Sequence, residues 1–180
     1  LGPDLGYQKR GVTYLADTDK DLADFEAWLE HARAWDLDTR MLTLAETHKL
    51  MKGAPADRWK GALHTASDAR AEPWVAVPMI ARALAAAGVA ICEHCAVRGL
   101  DIQGGQLVGV STEIGPIRAD AVVLTGGAWS SLFLKAHGLN LPQLSVLSSV
   151  CATVPLDMPF DGAAADGTVG FRRRADGGYT

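Results

Sequence analysis

Paired glycines after an apolar run form the stretch of this sequence most typical of a ligand-binding turn. Residues 121–124 (AVVL) are a near-continuous apolar run, which favours a strand covered on both faces, as in a parallel α/β sheet. Gly126 and Gly127 follow and lack Cβ, so a bound group can approach the backbone closely. Because ligands of open α/β sheets lie at the carboxyl ends of strands, this turn is the first candidate site.

Three consecutive arginines form a second candidate site. On a strand, Arg172 and Arg174 point to one face and Arg173 to the other, so the three cannot share one partner. A guanidinium fork can bind a carboxylate through two parallel hydrogen bonds. The alternative is a solvated basic edge that discourages strand-to-strand aggregation, and the residues leave both interpretations open.

Other reactive residue types give weaker patterns. Cys92 and Cys95 bracket a glutamate and a histidine, but a lone C-x-x-C lacks a second ligand pair, which favours a structural role over a metal site. Ser130 and Ser131 lack a G-x-S-x-G setting for a nucleophile. The histidines are scattered, so the sequence assigns no metal ligand and no catalytic acid or base; they are His31, His48, His64, His94 and His137.

Composition restricts the class of protein. The 180 residues are 48% hydrophobic with a net charge of -4. Acidic and basic residues are interspersed, so the sequence has no basic patch for binding nucleic acid or an anionic membrane. No apolar run reaches the ~20 residues of a membrane span, and three cysteines are compatible with a reducing compartment. We therefore expect a globular cytoplasmic protein. The sequence begins without Met and stops in an apparent strand start, so we expect a piece of a longer protein.

The first half of the sequence predicts two capped helices among short strands. Thr18 with Asp21, and Thr43 with Glu46, are capping-box pairs that predict helices over 18–35 and 43–51. Helical spacing in the first places its apolar residues, Trp28 and Trp35 included, in the core. Strands are predicted at 11–16 and 61–65.

The second half predicts a helix, a strand and a meander before the glycine turn. Pro78 suits the first turn of a helix over 79–87, and a strand is predicted at 89–93. Short strands separated by glycines predict a three-stranded meander. A helix at 129–137, a loop at 157–167 and strands at 144–154 and 168–174 complete the prediction.

These elements and motifs together resemble a known family. The stretches 72–87, 95–99 (CAVRG), 121–130 (AVVLTGGAWS) and 174–177 (RADG) occur in the order found in FAD-dependent oxidoreductases of the D-amino-acid oxidase superfamily. That superfamily includes glycine oxidase, sarcosine oxidase and D-amino-acid dehydrogenase. No single motif is decisive, and the resemblance depends on their colinear order.

The resemblance implies roles for particular residues. Val97 would hydrogen-bond the adenine of FAD through its backbone, and Arg174 would pair with the substrate carboxylate. The small-residue turn would lie against the pyrophosphate and ribityl chain of FAD, with the amino end of the following helix directed at phosphate. The turn's cofactor-binding residues would be Thr125, Gly126, Gly127, Ala128 and Trp129.

The implied fold is α/β. It would combine part of a Rossmann-like FAD-binding domain with a β-meander crossover and an α+β substrate domain with an antiparallel sheet. We expect substrate-domain segments at 1–70 and 144–180 and the FAD-binding portion at 71–143. The sequence lacks the family's G-x-G-x-x-G fingerprint, and it has Leu147-Ser148-Ser149 where many members have Arg-Gly-Gln.

The implied activity is oxidation of the C–N bond of a small amine or amino acid by hydride transfer to FAD. Candidate substrates are a D-amino acid, glycine and an N-methyl amino acid. The chain by itself is expected to be inactive, and oligomeric state is not predicted. The alternative from another class is a scaffold or protein-binding domain of a truncated product, without catalysis.

Overall fold

The computed structural model describes residues 5–55 and 57–180, which form two compact units. The first comprises residues up to Gly88 together with Val150–Thr180, and the second comprises Val89–Ser149. Helices and several sheets confirm the predicted mixed α/β fold class. None of the helices within the described ranges is both long and apolar enough to cross a membrane.

A five-stranded sheet organises the first unit. Its strands are β2 (Val12–Ala16), β3 (Thr39–Leu42), β4 (Gly61–Thr65), β9 (Ala163–Ala165) and β10 (Gly170–Arg172), in the order β10-β9-β2-β4-β3. All neighbours are antiparallel except β2 and β9. A separate antiparallel pair is formed by β1 (Gln8–Lys9) and β5 (Ala69–Arg70).

Capping boxes start two helices of this unit where the sequence predicted them. In α1 (Asp19–Ala34), the Thr18 hydroxyl accepts from the Asp21 amide, and the Asp21 carboxylate accepts from the Thr18 amide. Thr43 and Glu46 make the same pair of bonds at the start of α2 (Leu44–Leu50). Because these contacts are local, the sequence was sufficient to place both helix starts.

Two apolar clusters cover opposite parts of the sheet. One contains Leu15, Trp59 and Tyr179, and the other packs Leu29 and Ala32 of α1 against β4. The prediction that both α1 tryptophans lie in the core is wrong. Trp28 is 42% exposed and Trp35, at the end of the helix, is 80% exposed. The smaller side chains on the same helix fill the contact with the sheet instead.

Asp166 fixes the turn between β9 and β10. Its side chain is fully buried and accepts hydrogen bonds from the Thr168 and Val169 amides, each at 2.9 Å. Arg58 donates to it at 2.6 Å and the Trp59 indole N–H at 3.2 Å. Burial raises the pKa of this carboxyl, but the hydrogen bonds outweigh that effect and hold its pKa below the usual value.

The third helix begins earlier than the sequence predicted. Helix α3 spans Pro73–Ala86, with Pro73 in its first turn and Pro78 in its interior. Pro73 has the backbone angle that suits a first helical position, so the helix begins there. The interior proline removes a hydrogen bond to the carbonyl of Trp74, a residue that is 91% exposed and open to water.

The second unit contains the predicted meander. Strands β6 (Val97–Gln103), β7 (Gln106–Thr112) and β8 (Gly115–Arg118) form an antiparallel sheet in chain order. Gly104 and Gly105, with φ of 59° and 80°, make the first turn, as a two-residue hairpin with both φ values positive requires. A 3-10 turn (Gly127–Trp129) leads into α4 (Ser130–Lys135), and Gly138 has φ of 74° just beyond it.

Three predicted strands are absent from the described part of the chain. Residues 89–93, 121–124 and 144–154 form no strand there, so the predicted central parallel strand is wrong for this chain. A strand needs a hydrogen-bonded neighbour, and none of the sheets formed by the described residues includes these segments. Their apolar side chains are exposed, to 85% for Val123 and 101% for Leu147.

The carboxyl-terminal hairpin also differs from the prediction. The expected loop at 157–167 contains β9, which pairs with β2 in parallel and with β10 in antiparallel register. The predicted strand at 168–174 is confirmed in part as β10. The turn after it brings Tyr179 opposite Arg173.

The compact units divide the chain at residues 88 and 149, so α3 lies in the first unit. The division at 70 and 143 was made by expected role, and the assignment of those segments to FAD and substrate domains stays a prediction.

Candidate functional sites

The glycine-turn cavity is a concave region of about 510 Å³ in the second unit. Its wall is formed by Val97 at the start of β6, the extended segment 121–125, Gly126 and, on the far side of the turn, Trp129 and Phe133. The structure thus brings Val97 together with Thr125, Gly126 and Trp129, although 28 or more residues separate them in sequence. Gly127 and Ala128 continue the turn but do not line this cavity.

Each of the two glycines has its own reason for lacking a side chain. A Cβ on Gly126 would lie 3.2 Å from the hydroxyl oxygen of Ser130, a buried residue at the start of α4. Gly127 has φ of 54°, a left-handed conformation that disfavours other residues, and a Cβ there would meet no atom within 4 Å. The space beside Gly127 is therefore open, as close approach by a bound group requires.

Gln143 holds this turn and was not found by sequence analysis. Its side-chain nitrogen donates to the carbonyl of Gly127 at 2.8 Å, and its side-chain oxygen accepts from the Ser131 amide at 3.2 Å. One amide group thus bridges the 3-10 turn and α4. No sequence pattern indicates this role, because the contact depends on the path of the chain after α4. It also engages one of the helix-start amides that were expected to face phosphate.

Glu113 contacts the chain at the start of β6, beside this cavity. Glu113 accepts from the Ala96 amide at 3.3 Å and pairs with Arg98. The Ala96 hydrogen bond, followed by that of Arg98, holds the pKa of Glu113 below its usual value. This contact positions the chain immediately before Val97, which is 46% exposed and open to a ligand.

The Glu72 cavity lies in the first unit and has about 600 Å³ of space. Arg172 and Arg174 line it together with Glu72, as the alternation along a strand predicted, whereas Arg173 is not among its lining residues. Trp74, Val75, Val150 and Cys151 add an apolar wall.

Glu72 is the centre of the charge network in this cavity. Its carboxylate accepts from Arg70 at 2.8 Å, from Arg172 at 3.2 to 3.3 Å and from the Ala175 amide at 2.9 Å. Burial, the largest effect, raises the pKa of Glu72. The hydrogen bonds of Arg172 and Ala175 and the two positive charges outweigh it, so the pKa lies below the usual value. The carboxylate stays charged and fixes Arg172.

Arg174 is the arginine of the run that remains accessible to a ligand in this cavity. Arg172 is engaged by buried Glu72, whereas the carboxylate partner of Arg174 is Asp176, whose side chain is 52% exposed. The Asp176 hydrogen bond raises the pKa of Arg174, so the guanidinium is charged. Sequence analysis named Arg174 but missed Glu72, an isolated carboxylate before the alanine-rich helix.

The cysteine motif does not extend into a larger ligand cluster. Cys92 and Cys95 are free thiols on either side of a turn in which His94 has φ of 52°. Across residues 5–55 and 57–180, no group of three or more metal-type ligands comes together.

Comparison with known proteins identifies the family of this chain. The family model described as FAD dependent oxidoreductase (DAO) matches residues 1–180. The chain belongs to this family. The mitochondrial sarcosine dehydrogenase of Mus musculus is 25% identical over 150 residues, covering 81% of this chain and 16% of the mouse protein. Glycine oxidase of Pseudomonas putida is 44% identical over 59 residues, covering 33% of this chain and 16% of that protein.

Solved structures agree with this family assignment. L-amino acid deaminase from Proteus myxofaciens, solved in complex with anthranilate, matches with a TM-score of 0.80 and 29% identity. The match covers 97% of this chain and 40% of the deaminase. The chain thus spans less than half the length of these relatives. By their names, they are oxidoreductases and deaminases of small amino acids or amines.

Both cavities fit what an FAD-dependent oxidoreductase needs. The glycine turn offers open space beside the left-handed Gly127, and Gly126 of the same turn lines a cavity together with the exposed start of β6. In the first unit, a charged arginine faces an apolar wall, which suits a ligand with a carboxylate and an apolar part. Each unit carries its own site.

Proposed function

We propose that this chain is part of a longer flavoenzyme that oxidises the C–N bond of an amine or amino acid. Candidate substrates are a D-amino acid, glycine and an N-methyl amino acid. The observation that carries the proposal is the cavity in which Val97 faces the turn at Gly126, in a chain of the FAD-dependent oxidoreductase family. A cytoplasmic location stays a prediction from composition.

FAD would be held by the second unit. The extended start of β6 at Val97 would contact adenine, and the turn from Thr125 to Trp129, with Gly126, Gly127 and Ala128 between them, would lie along the pyrophosphate and ribityl chain. When bound, FAD supplies the redox chemistry by accepting a hydride from the carbon of the C–N bond. The substrate nitrogen loses its proton in the same oxidation, and the resulting imine is hydrolysed by water.

The substrate carboxylate would be held by Arg174 in the first unit. Its charged guanidinium can donate two parallel hydrogen bonds to a carboxylate after displacing the exposed Asp176. Glu72 would act as a positioning residue, because it holds Arg172 and the Ala175 amide next to Arg174. The wall formed by Trp74 and Val150 would contact the apolar part of the substrate.

Flavin binding can be tested with a matched pair of glycine substitutions. Gly127 and Gly104 have φ of 54° and 59°, and a Cβ at either would meet nothing within 4 Å. Gly127→Ala and Gly104→Ala therefore carry the same backbone strain, about 1 to 2 kcal/mol each. In the full-length protein, we expect Gly127→Ala to weaken FAD binding at least about tenfold, measured by flavin fluorescence, while Gly104→Ala retains it.

Equal FAD affinity in the two variants would remove the glycine turn from the cofactor site. A full-length protein that shows no flavin absorption and binds no added FAD would support the non-catalytic scaffold instead.

Substrate binding is tested by flavin-reduction kinetics of the full-length protein. The panel comprises D-amino acids, glycine and N-methylated amino acids. Arg174→Lys keeps the charge but removes the fork, so we expect KM to rise about tenfold or more for substrates with a carboxylate. Arg33→Lys, on the exposed face of α1, is the control and should leave KM unchanged. An unchanged KM in Arg174→Lys would exclude the carboxylate role.

A further inference from the structure

A third concave region lies on the first unit and contains a concentration of positive charge. This arginine cleft has about 490 Å³ of space and is lined by guanidinium groups, with one glutamine and one carboxylate near them. These residues are Arg10, Arg70, Arg173, Arg174, Gln8 and Asp161. The other lining residues contribute neutral side chains or backbone.

Gln8 brings two guanidinium groups to the same point in the cleft. Its side-chain oxygen accepts from Arg70 at 3.1 Å and from Arg10 at 3.4 Å. The glutamine oxygen is neutral, so the negative charge near these groups comes from Asp161, which pairs with Arg10, and from Glu72, which pairs with Arg70. The side chain of Arg70 is only 7% exposed, whereas that of Arg10 is 50% exposed. Gln8 thus holds a buried and an exposed guanidinium group close together in the cleft.

One hydrogen-bond donor of Arg70 is buried without a partner among the described residues. Its Nη atoms are engaged by Glu72 and Gln8, but its buried Nε finds no partner among the residues that the structure describes. A buried donor without a partner costs about 1 to 3 kcal/mol, and because this Nε is closed off from solvent, Arg70 acts on the cleft through its charge and not through this donor.

Arg173 adds a charge that no carboxylate in the described part of the chain pairs with. It donates to the carbonyl of Met158 at 2.7 Å, and its guanidinium lies 5.9 Å from the ring centre of Tyr179. The carboxylates near the cleft serve other arginines: Asp161 pairs with Arg10, and Asp176 pairs with Arg174. Glu72 is shared by Arg70 and by Arg172, which does not line the cleft, and both donate to its Oε1. With Arg172 included, five arginines are matched by three carboxylates, an excess of two positive charges.

We propose that the arginine cleft binds a small oxyanion carrying two negative charges, such as a phosphate group or a dicarboxylate. Arg10 and Arg173 donate hydrogen bonds from the rim, and buried Arg70 supplies fixed positive charge from below. Both ligand types present several acceptor oxygens, which match the planar donors of arginine. The proposal does not depend on the flavin assignment, because among these arginines only Arg174 has a role there.

The test is calorimetric titration of the full-length protein with inorganic phosphate and, separately, with succinate at low ionic strength. The double variant Arg10→Gln/Arg173→Gln removes two rim charges. Its matched control is Arg33→Gln/Arg82→Gln, which removes the same charge from exposed positions on α1 and α3. We expect binding by the parent and the control, and an affinity at least about tenfold lower in the rim variant.

Tighter binding of phosphate than of succinate would identify the ligand as a phosphate compound, and the reverse order a dicarboxylate. Equal affinity in the rim variant and the control would overturn the proposal, as would a parent protein that binds neither anion at millimolar concentration. Urea unfolding of both double variants without anion verifies that each is folded. Since FAD content is measured separately, failure of the anion site and failure of the flavoenzyme assignment are distinguishable.

Discussion

The Glu72 cavity and the glycine-turn cavity are built in contrasting ways. In the first, buried side-chain charges fix the geometry: one carboxylate holds two guanidinium groups and a backbone amide. In the second, the wall is the backbone turn at Gly126 together with apolar side chains. The turn continues through a left-handed glycine, and a glutamine side chain bridges it to α4. The Glu72 cavity should therefore be sensitive to loss of charge, and the glycine-turn cavity to an added methyl group or a lost side-chain amide.

The largest effect is expected from Glu72→Gln. This substitution leaves the buried Arg70 and the partly buried Arg172 without a carboxylate, and breaking a buried ion pair from one side costs about 3 to 5 kcal/mol. We expect the free energy of unfolding, measured in urea, to fall by that amount.

Glu113→Gln is the matched control in the second unit. It removes one carboxylate that pairs with the exposed Arg98, and exposed pairs contribute little. Similar losses of unfolding free energy in the two variants would contradict the idea that buried charge stabilises the Glu72 cavity but not the glycine-turn cavity.

The next largest effect is expected at Asp166, which makes the stability of the first unit sensitive to acid. The folded state lowers the pKa of this carboxyl, so its stabilising contribution is present above the unfolded value near 4 and is lost as pH falls through the lower folded value. We expect Asp166→Asn to lose about 2 kcal/mol at neutral pH and to have a flatter pH profile of unfolding free energy below pH ~5.

Trp59→Phe provides the graded control for Asp166. It keeps an aromatic ring but removes the indole donor and part of a buried side chain, which costs packing free energy at every pH. The pH dependence of its unfolding free energy should lie between those of the parent and Asp166→Asn. Profiles that coincide for all three proteins would show that Asp166 is not the acid-sensitive group.

The smallest effect is expected at Gln143, which holds the turn beside the glycine-turn cavity. Gln143→Ala removes two neutral hydrogen bonds of a side chain that is exposed, so the loss of stability should be about 1 kcal/mol or less. The local effect should be clearer, with faster hydrogen exchange of the Ser131 amide. Gln103→Ala, in the hairpin turn of the meander, is the control and should leave that exchange rate unchanged.

How much the sequence could predict depended on how local each contact is. The capping boxes of α1 and α2 and the paired glycines between β6 and β7 act within four residues, and their predictions are confirmed. The family was also predicted, from motifs whose order alone is informative. By contrast, β9 is an alanine run with little strand propensity, and it is a strand only because β2 and β10 lie beside it.

The candidate sites divide in the same way. The sequence named Val97 and the turn at Gly126, but only the tertiary structure placed them on one cavity. The sequence also named Arg174, through its motif. The charge network centred on Glu72 was visible only in the tertiary structure, because it joins residues about 100 positions apart. The sequence offered no signal for Gln143.

The family, the capped helices, the meander and part of each site could be predicted from the sequence alone, because short-range steric and hydrogen-bonding preferences are encoded in neighbouring residues. Which apolar runs form strands, which tryptophans are buried and which charged groups pair could be read only from the tertiary structure. Those outcomes depend on partners distant in sequence. A hydrogen-bond ladder or a buried ion pair exists only when folding brings both halves together.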